Sequence, residues 1–96
     1  MTERQTRQRL ASDAYLATLA LEILYENQTA DERAGARTIY LNGMGFNQED
    51  APILTPLARK AMRYGELDRH ELATAHTRLP KYARQVRNYL DAGRYW

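Results

Sequence analysis

Leu10, Ala14, Ala17, Leu21 and Leu24 recur at spacings of three and four, and Leu16, Ala20 and Ile23 form a second row beside them. Two adjacent rows at helical spacing make an apolar surface broad enough for a helix packed on more than one side. No Gly or Pro interrupts residues 5–28, so one long helix is predicted there. Thr29-Ala30-Asp31-Glu32 then matches a capping box, in which the Thr29 hydroxyl accepts from the amide of Glu32. It predicts a short helix over residues 30–37. Residues 37–41 are the single stretch with any strand character.

Asn42-Gly43-Met44-Gly45-Phe46-Asn47 breaks the helical period. Two glycines one residue apart, flanked by asparagines, mark a tight turn that visits positive φ. Asn47 is placed to cap the element that follows, with Glu49 and Asp50 in a first turn where the helix dipole favours negative charge. Pro56 predicts the start of a helix running to Tyr64, with Thr55 as its cap and Gly65 as its stop. Asp68-Arg69-His70-Glu71 is a second capping box. It opens a final helix over 69–91, whose apolar stripe is Leu72, Ala75, Leu79, Tyr82, Val86 and Tyr89 or Leu90. Pro80 lacks the amide that would bond to the carbonyl of His76, which predicts a kink or break in mid-helix. The pattern as a whole predicts one all-α domain over 1–96, a bundle of about four helices with a Gly-rich turn in the middle.

Composition narrows the class. At 96 residues the chain fits a single domain, and its 44% hydrophobic content suits a folded one. The absence of Cys removes disulfides and thiolate metal sites, and is compatible with a reducing compartment. The first nine residues are polar, and the most apolar stretch, Ala14 to Tyr25, is interrupted by Thr18 and Glu22. It is shorter than the roughly 20 residues of a membrane span. The expectation is a cytoplasmic protein with no membrane role. Net charge is +2, but it is unevenly spread: residues 22–50 carry −4 and residues 78–96 carry +4.

The chemistry on offer is that of binding rather than catalysis. Gly43-Met44-Gly45 lacks the third glycine of a dinucleotide fingerprint, and no Gly-Lys-Ser/Thr follows as in a P-loop. His70 and His76 are six apart, so they project from different faces of a helix, whereas a helical zinc pair wants a spacing of four. No catalytic residue, metal site or cofactor is expected. Arg78, Lys81, Gln85 and Asn88 instead form a row at spacings of three and four, with Arg84 and Arg87 beside it and the apolar stripe roughly opposite. Such a face suits a phosphate backbone, each contact releasing about 0.9 counterion on duplex DNA. The plain alternative is a solvated face whose cations complement the helix dipole. Tyr40 is placed either to stack an unpaired base or to pack inward. Phe46, the only Phe, reads as a core anchor set beside glycines that let the backbone turn. Arg37 with the amides of Gly43 and Gly45 has the makings of an anion-binding nest. Arg94-Tyr95-Trp96 is either a frayed end or a docking tail.

Taken together, Gly35-Ala36-Arg37, the hexapeptide turn, Asp50-Ala51, Leu57-Ala58, and Lys81-Tyr82 with Gln85-Val86 resemble a small helical module. That module is found in phage- and plasmid-type DNA helicases of the DEAD/DEAH and SNF2-like groups and in mobile-element proteins. The resemblance covers about residues 10–90. This chain departs from the pattern at Ala34, where the module often has an acidic residue, and at Ile53 and Leu54, where Phe-Gly often follows the Asp-Ala step. It also lacks any ATP-binding motif, so the resemblance implies a context of DNA processing and no activity. Two functional expectations follow. One is a DNA-associated accessory module that contacts the nucleic-acid backbone through Arg37, Tyr40, Arg78, Lys81, Arg84 and Arg87, DNA being favoured over RNA. The other is a small phage-encoded inhibitor or adaptor that binds a nucleic-acid enzyme, such as a host defence complex. A homodimer through the wide apolar helix fits both.

Overall fold

The computed structural model describes residues 1–28 and 45–92. The expected 30–37 helix, the possible strand at 37–41 and the C-terminal tail lie outside them. Among the described residues there are five α-helices and no strand: α1 (Glu3–Leu10), α2 (Ala14–Glu26), α3 (Ala51–Tyr64), α4 (Arg69–Arg78) and α5 (Ala83–Asp91). The all-α expectation holds, with five helices where about four were expected.

The long N-terminal helix is in fact two. Ser12 and Asp13 interrupt it, because Asp13 adopts an extended backbone and its Oδ1 accepts from the Leu16 amide at 3.1 Å. A short side chain that caps a new helix outcompetes continuation of the old one. Arg9 reaches back across the corner to the other Asp13 oxygen at 2.7 Å. α1 carries a capping box of its own, Thr2 with Gln5. The carbonyl of Leu10 at its end is bonded at 2.8 Å to Nδ1 of His76. His76 is thus a half-buried link between α1 and α4 rather than a free surface residue.

α3 starts at Ala51, five residues earlier than expected, and Pro56 lies inside it. Thr55 is therefore not a cap: it is buried and its hydroxyl has no hydrogen-bond partner among the described residues. The signal that outweighs Pro56 is Asn47, whose Oδ1 accepts from the Asp50 amide at 2.8 Å and nucleates the turn leading into Ala51. Gly65 ends α3 as expected, at φ +78 with its amide on the Ala61 carbonyl. Asp68 and Glu71 close the predicted capping box of α4. The break at Pro80 also holds, since residues Pro80–Tyr82 form a single 3-10 turn between α4 and α5.

α2 is the central element and packs against each of the other four helices. This accounts for its two apolar rows, of which Leu16, Ala17, Ala20, Leu21, Ile23 and Leu24 are buried. α1 lies along α5, and Phe46 enters the same core from the turn. No described helix is long and apolar enough to cross a membrane.

Candidate functional site, a glycine turn locked to the last helix

Asp50 is a charged residue with no exposed surface. Its carboxylate accepts from Arg78 Nη1 at 2.8 Å, Lys81 Nζ at 2.9 Å and the Tyr82 hydroxyl at 2.6 Å. All three donors come from the end of α4 and the 3-10 turn, one helical face a turn apart. Tyr82 is doubly used, because its oxygen also accepts from the Asn47 amide at 3.0 Å. Its ring is buried and meets Phe46 edge-on, centroids 6.3 Å apart. Burial opposes ionisation of Asp50, yet the hydrogen bonds from Tyr82, Lys81 and Arg78 outweigh it and hold the carboxyl below its ordinary range. Burial, together with the neighbouring carboxylate, pushes the Tyr82 phenol well above its usual value, so it stays a donor.

A second contact lies one turn further along. Gln85 Oε1 accepts from the Gly45 amide at 2.6 Å and from Asn27 Nδ2 at 2.8 Å, and Gln85 Nε2 donates to the Gly45 carbonyl at 3.4 Å. One amide side chain therefore binds the chain both before and after residues 29–44. Gly45 sits at φ +75, and a Cβ there would stand 2.9 Å from the side chain of Gln28. Gln28 is buried with neither amide atom hydrogen-bonded among the described residues. Only glycine meets both the dihedral and the space.

Of the residues singled out from sequence, Arg37, Tyr40, Asn42 and Gly43 lie outside the described residues. Gly45, Phe46 and Asn47 are brought together with Arg78, Lys81 and Gln85. Phe46 is the core anchor expected of it. The described cations of the basic face each have a carboxylate partner within the chain. Arg78 and Lys81 are engaged by Asp50, Arg84 Nε by Glu3 at 3.2 Å, and Arg87 Nε by Asp91 at 3.1 Å. The row predicted by periodicity exists, and its first members, Arg78 and Lys81, are half-exposed side chains whose charged ends meet the buried Asp50 carboxylate. Of the expected nest, Arg37 and Gly43 lie outside the described residues, and the Gly45 amide donates to Gln85. Sequence reasoning missed Asp50, which it read as a first-turn acid, and the hydroxyl role of Tyr82, which it placed in the apolar stripe. The motif pairing of the turn with Lys-Tyr-x-x-Gln was the available signal for both.

The arrangement fixes Gly45, Asn47 and Asp50 against the last helical segment. Among the described residues no group of three His, Cys, Asp or Glu side chains could bind a metal ion. Comparison with known protein families, with curated proteins and with solved structures found no match.

Proposed function

We propose that this chain is a protein-binding accessory module, an adaptor or inhibitor of a nucleic-acid-processing enzyme. The observation that carries the reading is the internal engagement of Arg78, Lys81, Arg84 and Arg87, the four described cations of the five expected to hold a phosphate backbone. A buried carboxylate holding Arg78 and Lys81 is not given up to solvent-exposed phosphate, since stripping its partners leaves an uncompensated charge at a cost of about 3–5 kcal/mol. Meanwhile Tyr15 and Tyr64 stand 77% and 64% exposed and Met62 48%, the residue types enriched in protein interfaces. The resemblance to the helicase-associated module supports the context, a phage or mobile element acting in the cytoplasm.

The nucleic-acid reading keeps one specific support. Arg4 and Arg7 are exposed on α1 with no carboxylate partner among the described residues, and Arg84, held through Nε alone, is 80% exposed. Anisotropy titrations of labelled duplex and single-stranded DNA at two salt concentrations separate the readings. The adaptor reading expects no binding at 50 mM salt, and no change with Arg84→Ala plus Arg87→Ala. It further expects that a partner captured on the immobilised chain survives nuclease treatment. Salt-dependent DNA binding whose slope falls in the double variant, with capture lost to nuclease, would establish the DNA-associated reading instead.

A further inference from the structure

The described carboxylates divide sharply. Glu3, Asp13, Glu49, Asp50, Asp68, Glu71 and Asp91 each sit within 4 Å of a cation. Glu26 accepts from the Tyr89 hydroxyl at 3.1 Å. Glu22 and Glu66 have no cation among the described residues, and both line the same groove, about 440 Å³ in volume, between the first half of α2 and the α3–α4 corner. Its apolar surface comes from Leu19, Leu67 and Leu72, with Tyr15 as an exposed wall, and no basic side chain lines it. Gly65 lines it too, so the carbonyl end of α3 and its partial negative charge lie at the rim. The cations nearest in sequence do not serve it. Arg63 lies over the Tyr64 ring at 5.4 Å, Lys60 is bound to Glu71 at 2.7 Å, and Arg69 opens α4 without an ion pair to either carboxylate.

We propose that this groove binds a short apolar segment of the partner protein that carries a Lys or Arg, the cation seated between Glu22 and Glu66. The proposal rests on the protein-binding reading and names the chemistry of its partner. Two carboxylates without counter-ions among the described residues, an α-helix carbonyl end and an exposed tyrosine face all favour a cation, and the leucines favour apolar neighbours on either side of it. Burial and the nearby Glu26 already raise the Glu22 carboxyl, which an incoming cation would relieve.

The test is an amide-shift NMR titration of the whole chain with two capped hexapeptides, one of leucine and arginine, the other with glutamate in place of arginine. The arginine peptide is expected to shift the amides of Tyr15, Leu19, Glu22, Glu66 and Leu72 saturably at 0.15 M salt, and the glutamate peptide to leave them in place. Glu22→Gln plus Glu66→Gln is expected to weaken binding about tenfold, without loss of folding because neither residue makes an ion pair among the described residues. Equal shifts with both peptides, shifts centred elsewhere, or unchanged affinity in the double variant would overturn the proposal. So would concentration-dependent shifts of these amides without peptide, which would assign the groove to a second copy of the chain. The two levels fail separately. Nuclease-resistant capture that ignores the double variant removes the groove and leaves the adaptor, whereas capture abolished by nuclease removes both.

Discussion

Gly45 shows how much one residue can be asked to do. It holds positive φ, makes room for Gln28 and offers its amide to Gln85. Gly45→Ala is expected to cost about 2 kcal/mol, read as a lower urea midpoint. Part of that is dihedral strain and part is the contact with Gln28. Adding Gln28→Ala to Gly45→Ala should recover the steric part and leave the strain. If the double variant is no more stable than the sum of the two single changes predicts, the close approach is not what excludes a side chain there. At this scale the sequence was partly legible. The glycine near Asn47 gave the positive φ found at Gly45, and a lone Phe gave the anchor. Gln28 and Gln85 were not legible as neighbours of Gly45, because pattern reports which face a residue occupies and not which distant backbone it meets.

Elements were readable where the stop or start signal was local. Gly65 and the Asp68 box ended α3 and began α4 as expected, and Pro80 broke the last helix. The misreadings of helix ends arose where two local signals competed. Ser12-Asp13 sits inside a continuous apolar period, and periodicity alone favours one helix; the Asp13 cap and its Arg9 pair favour two. Asp13→Ala is expected to lower stability by about 1–2 kcal/mol. Asp13→Asn, which keeps a capping oxygen and loses the charge on Arg9, should lose less in the same denaturation measurement. Equal losses would place the weight on the ion pair instead. Arg78, Lys81 and Gln85 were correctly read as one row of a helix. What faced them was 28 to 40 residues away in the chain, Asp50 having been assigned to a helical first turn and Gly45 to the turn before it.

Across the whole molecule, the acid limb of stability has a dominant source. Asp50, Asp13 and Asp68 are all held below the ordinary carboxylate range. Groups depressed in the folded state contribute stability that is present above their unfolded pKa and is lost as pH falls through the lower, folded one. Glu22 runs the other way, since its raised carboxyl gains from protonation in the fold. Asp50 should outweigh the rest, being the one with no exposed surface. Asp50→Asn is expected to cost about 3 kcal/mol at neutral pH, a large share of the roughly 5–15 kcal/mol typical of a domain. It should also flatten the decline below about pH 4, the ordinary Asp range, in a series of urea midpoints. A variant that keeps the full acid decline would move the source to the exposed pairs.

The same carboxylate sets a minimum length for the polypeptide. During synthesis Asp50 emerges well before Arg78, Lys81 and Tyr82, and until they arrive its charge has no donor to replace water. A nascent or proteolysed chain ending before residue 78 is therefore expected to remain open around that position rather than to form a smaller version of the bundle, because closing it would strand an ion inside.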